Sequence, residues 1–138
     1  MNSQLQDLLQ ANGHRNTQAR HAVFALLKAQ SPMTTAQLRA KTSTLLNTAS
    51  LYRSLNIFRE LGVVQDVVIG GKRMVELTDL FTPHHHHLSC SGCNKTVELH
   101  EDTLERYLAS LASKHGFKHQ SHSFEITGLC AECLTKSA

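Results

Sequence analysis

No apolar run in the chain approaches the roughly 18 residues that a membrane span needs, and the start of the sequence lacks a charged-then-apolar leader. The expectation is a cytoplasmic chain with no membrane partner. Cysteine is scarce: the only four fall into two C-x-x-C pairs, Cys90/Cys93 and Cys130/Cys133, and none is left over. A thioredoxin-like redox centre would need one such pair beside a βαβ pattern, and two ordinary disulfides would need an exported chain. Neither H-E-x-x-H nor a deaminase-like H-x-E with P-C-x-x-C occurs, which argues against the hydrolytic zinc enzymes those motifs mark. The expectation is therefore a protein that is not an enzyme and has no small-molecule substrate.

What is present is a concentration of metal ligands. The stretch His84-His85-His86-His87-Leu88-Ser89-Cys90-Ser91-Gly92-Cys93 places six potential ligands in ten residues, and Cys130-Ala131-Glu132-Cys133 follows. Each short C-x-x-C turn presents two thiolates to one metal, and two such turns complete a tetrahedron. Cys90, Cys93, Cys130 and Cys133 therefore read as a closed structural Zn2+ site. The histidine run is internal, so it is not a terminal tag. If it is extended, His84 and His86 face one way and His85 and His87 the other, which predicts two separate metal sites flanking one strand.

Charge divides the chain. Residues 1–62 carry seven Lys/Arg against two Asp/Glu, whereas residues 63–138 carry seven against nine and hold eight of the ten histidines. A basic half joined to a metal-rich half suggests a polyanion binder coupled to a sensor.

The first half reads as helices. Leu5, Leu8 and Leu9 mark a short one; Thr17 caps a second with an apolar face of Ala19, Ala22, Val23, Leu26 and Leu27; Thr34 and Gln37 form a capping box for a third reaching about Lys41. Asn47 caps a fourth, striped by Leu51, Leu55, Phe58 and Leu61 and stopped by Gly62. Its other face carries Thr48, Ser50, Tyr52, Arg53, Asn56 and Arg59, a mixture suited to phosphates and base edges but equally found on a solvated helix. The alternation from Val63 to Leu77 around Gly70-Gly71 predicts a β-hairpin with Lys72 and Arg73 near its tip, and helices plus hairpin make a winged helix-turn-helix.

Further on, Thr96 to His100 predicts a strand with Val97 and Leu99 inward. Asp102 begins a helix whose buried stripe is Leu104, Leu108, Leu111 and Ala112, and His122 to Thr127 predicts another strand. The fold class is α+β: a winged helix-turn-helix DNA-binding domain over residues 1–79, then a small α/β dimerisation domain over 80–138. Fewer than about 60 residues supply too little apolar area for independent stability, so the structural zinc and a second copy of the chain are expected to complete it.

Five pieces occur in order: Gly13-His14-Arg15-Asn16-Thr17-Gln18-Ala19-Arg20, Thr48-Ala49-Ser50-Leu51-Tyr52-Arg53-Ser54-Leu55, Glu76-Leu77-Thr78, the HHHHLSCSGC block and the C-x-x-C after His122. In these the chain resembles the ferric uptake regulator family of metal-dependent repressors over nearly its full length. The resemblance implies a homodimer that binds an A·T-rich palindromic double-stranded operator when regulatory metal is present. It implies that Tyr52 and Arg53 read bases and that Arg15 reaches towards the minor groove. It also distributes ligands: His84, His86, Glu105 and His122 to one site; His85, His87 and Glu98, with Glu76 or a wing acid such as Asp66 or Asp79, to the sensing site at the hinge.

Four successive histidines, where iron and peroxide sensors of the family usually carry His-His-Asp-His, resemble the zinc uptake regulators. The segment Ser31-Pro32-Met33 also lacks the hinge histidine usual in those sensors. The expected regulatory ion is Zn2+, with Fe2+ as the alternative, since all-N/O ligands suit both. A zinc hydrolase using His85, His87 and Glu98 and a histidine-rich metal-storage protein are further alternatives; both leave the basic winged helix unexplained.

Overall fold

The computed structural model describes residues 2–137. It divides into two compact units: the chain through Val68 with Lys72–Pro83, and Ile69–Gly71 with the chain from His84 onward.

The first unit is built by local signals that agree with its core. Helix α1 (Ser3–Ala11) is capped by the Asn2 side chain, and α2 (Gln18–Gln30) by Thr17, whose hydroxyl accepts from the Arg20 amide. In α3 (Thr35–Thr42) the capping box is reciprocal: Thr34 Oγ1 accepts from the Gln37 amide and Gln37 Oε1 from the Thr34 amide. Asn47 caps α4 (Thr48–Glu60), and Gly62 leaves it at φ +71°. Strands β1 (Val64–Ile69) and β2 (Lys72–Leu77) meet at Gly70 and Gly71, whose φ values of +58° and +77° are those a two-residue primed turn demands. These elements enclose one core in which Leu5, Leu9, Val23, Leu27, Leu38, Leu55, Phe58 and Val63 are fully buried. Each such side chain contributes about 1.5–3 kcal/mol of burial.

The second unit is a three-stranded sheet of order β4-β3-β5. Strand β3 (His86–Cys90) pairs antiparallel with β4 (Thr96–Leu99) and parallel with β5 (Glu125–Gly128). Parallel pairing requires a crossover, which α5 (Asp102–Lys114) supplies. A last short helix, α6 (Ala131–Ser137), follows Cys130.

Three expectations change here. The strand begins at His86 rather than His84, because β4 ends at Leu99, the partner of His86. His122 and Phe124 precede β5 rather than lying within it. The apolar stripe of α5 is not buried: Leu111 is 40% exposed and Val97 on β4 45% exposed, so neither points into a closed interior. A sheet of five-, four- and four-residue strands is too small to cover a thirteen-residue helix.

Candidate metal centres

The C-x-x-C turns converge. The four ligand sulfurs of Cys90, Cys93, Cys130 and Cys133 lie within 4.8 Å of one another. Cys93 Sγ and Cys130 Sγ are 3.8 Å apart, which matches the edge of about 3.8 Å expected for a tetrahedron with Zn–S near 2.3 Å. Gly92 makes the first turn possible, since a Cβ there would stand 2.9 Å from Cys133 Sγ. Cys90 Sγ accepts from the amides of Gly92 and Cys130, both at 3.3 Å. Donation from the Cys130 backbone, with further help from those of Cys93 and Gly92, lowers its thiol to about 6. Cys133 is pushed up to about 12, first by its hydrogen bond with Cys90 and then by the other two sulfurs and burial. A group that gives up one proton easily and holds another hard needs a bound cation to become fully ionised. Its residues fit a four-thiolate zinc.

A second group forms where the even-numbered histidines of the run meet α5 and the approach to β5. His84 Nε2 lies 3.2 Å from both His86 Nε2 and His122 Nε2, and the last two are 3.1 Å apart. Glu105 sits on the same point, with Oε1 2.7 Å from His86 Nε2 and Oε2 2.5 Å from His122 Nε2. Zn–N bonds of 2.0–2.1 Å give a tetrahedral edge of about 3.3–3.4 Å, so three nitrogens and one oxygen are already near ligand separation. Burial holds His86 below its usual pKa against the opposing pull of Glu105. Burial alone would raise Glu105, but the His86 hydrogen bond and the neighbouring imidazoles keep it low. Imidazole nitrogens and a carboxylate are the donors a divalent cation requires.

The sequence reading gave no role to His119, yet its Nε2 lies 2.8 Å from His122 Nδ1, the nitrogen that faces away from the cluster. A ligating histidine is commonly held by such an outer partner on its second nitrogen. Nothing in the spacing of His119 singles it out, because it lies in a loop with no periodicity.

The odd-numbered histidines stand on the opposite side of the strand path. His85 and His87 have ring centroids 4.9 Å apart and nearly perpendicular planes. Glu98 is the direct partner of His87 in the β3–β4 register, but its carboxylate turns to His100, with Oε2 3.3 Å from Nε2. Glu76 is 2% exposed and accepts from Gln65 Nε2 at 3.1 Å.

Asp66, the wing acid offered as an alternative ligand, is held by two arginines. Its carboxylate takes two bonds from Arg59, Nε to Oδ2 at 3.0 Å and Nη2 to Oδ1 at 3.1 Å, and one from Arg73 at 3.3 Å. Alternation places it there: Gln65 reaches Glu76, so the next residue, Asp66, points to the other face of the hairpin. Although burial opposes ionisation, bonds and charge from Arg59 and Arg73 hold Asp66 below its usual pKa.

The face of α4 expected to meet nucleic acid is exposed. Thr48, Tyr52 and Arg53 are exposed, Tyr52 by 42%, and Ser50 is half-buried. Arg15 is also exposed, and its carbonyl accepts from the Arg20 guanidinium. Arg59, at the far end of the helix, is committed to Asp66.

Residues 11–127 match the ferric uptake regulator family. The chain belongs to that family. Among its relatives, the ferric uptake regulation protein of Campylobacter jejuni is 36% identical over 92 residues, 65% of this chain and 57% of that protein. The chain thus spans little more than half the length of this relative. The peroxide operon regulator of Bacillus subtilis is 32% identical over 135 residues, 94% of this chain and 91% of its own. Two solved structures share the fold of this family member. The Helicobacter pylori ferric uptake regulator, described as having three functional metal binding sites, superposes with a TM-score of 0.78 at 21% identity, covering 95% of this chain and 89% of its own. A zinc uptake regulator complexed with zinc and DNA gives 0.60 at 24% identity, with coverages of 98% and 93%.

Proposed function

We propose that this chain is a metal-gated transcriptional repressor that binds an A·T-rich palindromic operator as a homodimer. The observation that carries the reading is the joining of two parts in one chain. One is a helix, α4, that leaves Thr48, Tyr52 and Arg53 open on its surface; the other is a β3 path whose alternate histidines serve different clusters. A storage protein would have no use for the first, and a hydrolase would need an accessible metal beside a general base.

In this reading Tyr52 and Arg53 contact base edges, Thr48 and Ser50 contact phosphates, and Arg15 enters the minor groove. Cys90, Cys93, Cys130 and Cys133 hold structural zinc. His84, His86, Glu105 and His122 hold a further ion, and His85, His87, Glu98 and Glu76 bind the regulatory ion. A bound divalent cation supplies charge neutralisation and fixed ligand geometry. The ligands then favour the one arrangement of the dimer in which both recognition helices fit their half-sites, by no more than their differential affinity for that arrangement. The four successive histidines favour Zn2+ over Fe2+ as the regulatory ion.

The test is fluorescence anisotropy of a labelled A·T-rich palindrome, titrated with protein retaining its cysteine zinc at buffered free Zn(II) and, anaerobically, Fe(II). Tight binding at trace zinc supports the reading. A response to iron at physiological levels, with zinc acting only far above them, replaces zinc by iron. No response to either metal removes metal gating.

A further inference from the structure

The chain crosses from one unit to the other between Val68 and Ile69, between Gly71 and Lys72, and between Pro83 and His84. Two of these crossings belong to the hairpin, whose strands otherwise lie in the first unit while its turn, Ile69–Gly71, lies in the second. Specific contacts hold the turn there. Ile69 is 3% exposed. The Gly70 amide donates to Glu125 Oε1 at 3.0 Å, and the same oxygen accepts from Ser89 Oγ at 2.9 Å. A Cβ at Gly70 would stand 3.2 Å from Asn94 Oδ1, so the turn also lies against the loop that follows Cys93. Asn94 takes a φ of +64°, and its amide donates to the Cys90 carbonyl at 2.9 Å, which makes it part of the Cys90/Cys93 turn.

We propose that Glu125 is a latch that holds the hairpin turn on the metal-binding sheet and thereby positions the wing of the DNA-binding unit. Its consequence for DNA rests on the repressor reading above. A carboxylate that accepts from a backbone amide makes a charge-assisted bond, roughly twice as strong as a neutral one. Ser89, 2% exposed on β3, holds the acceptor ready, because it bonds the very oxygen that the turn uses. Gly70 suits the contact twice over: its φ of +58° belongs to the turn, and the missing Cβ leaves room for Asn94. Glu125 itself is exposed, so its bond to the turn competes with water and opens without disturbing a core. With the turn held, both hairpin crossings are fixed to the sheet. Released, they are slack, and a DNA complex that needs one arrangement must order them at an entropic cost.

The experiment measures amide exchange at Gly70 by NMR, and operator affinity by anisotropy at saturating Zn(II) and, anaerobically, Fe(II), in full-length protein retaining its cysteine-bound zinc. Glu125→Ala is expected to speed Gly70 exchange by about 10-fold or more, the loss of one hydrogen bond to a charged group, with zinc content and exchange across β3 and β4 unchanged. Operator affinity should fall several-fold and by no more than that factor, because a latch shifts an equilibrium only by what it contributes. Glu125→Gln keeps an acceptor oxygen and should lose less on both counts. Unchanged Gly70 exchange in Glu125→Ala would overturn the latch, and faster exchange with unchanged operator affinity would overturn its positioning role. If the wild-type protein binds no operator at any metal level, the repressor reading falls, and Gly70 exchange still decides whether Glu125 holds the turn.

Discussion

The two units solve the problem of stability differently. In the first, buried residues are leucines, valines and phenylalanines gathered into one core. In the second, apart from the hairpin-tip residue Ile69, the buried residues among those described are His86, His87, Ser89 and Cys90. Its large apolar side chains lie outside: Phe117 is 70% exposed, Tyr107 61% and Ile126 44%. One unit folds around oil, the other around ligands and, in our reading, a second copy of the chain. In our reading the difference locates sensing chemically, because a unit whose interior is made of donors responds to the ions those donors hold.

The largest expected effect breaks the comparison at its weaker side. Cys90→Ser removes a sulfur that accepts two backbone amides and belongs to the set that, in our reading, holds zinc, an ion worth on the order of 10–16 kcal/mol in zinc-finger peptides. The second unit should lose its structure and the dimer dissociate, as read by zinc stoichiometry and analytical ultracentrifugation, while the helical signal of the first unit persists. A soluble, dimeric C90S protein responding normally to metal would overturn the zinc's structural role. The complementary change, Leu55→Ala, should cost about 2–5 kcal/mol by opening a cavity in the apolar core, lowering the first unit's melting midpoint without altering metal content.

Smaller changes sharpen the contrast. His119→Ala should weaken binding of the ion proposed for His84, His86, Glu105 and His122 by about 10–100-fold, measured by chelator competition, with thermal stability of the first unit unchanged. Tyr52→Ala should cost about 1–3 kcal/mol of operator affinity and leave metal binding intact; equal affinity for the operator would remove α4 from recognition. The smallest effect concerns Asp66, whose pKa is lower folded than unfolded. Its stabilisation is complete above the unfolded value, about 3.9, and is lost as pH falls through the lower folded one. Denaturation of wild type and Asp66→Asn should therefore differ at neutral pH and converge in acid, with a gap that shrinks in salt.

Much of this was legible in the sequence, and the physics of each element says why. Helix caps are local, so Thr17, Thr34, Gln37 and Asn47 could be placed from a few neighbours. The primed turn at Gly70-Gly71 needs only two residues, and period-two alternation alone separates His84 and His86 from His85 and His87. What the sequence does not show is non-local. The Asp66 carboxylate is held by Arg59, seven residues earlier, a pairing no local pattern announces. The α5 stripe looked like core because periodicity reports amphipathicity and not what covers it. Glu98 was assigned through the family resemblance, and its contact with His100 lies outside what that resemblance marks.

The contrast between the two units is tested most directly by hydrogen exchange on the zinc-loaded protein and on protein stripped of its cysteine zinc by a strong chelator. The account predicts that protection collapses across β3, β4, α5 and β5 while α2 and α4 keep theirs. Retained protection in the second unit, or equal loss in both, would contradict it.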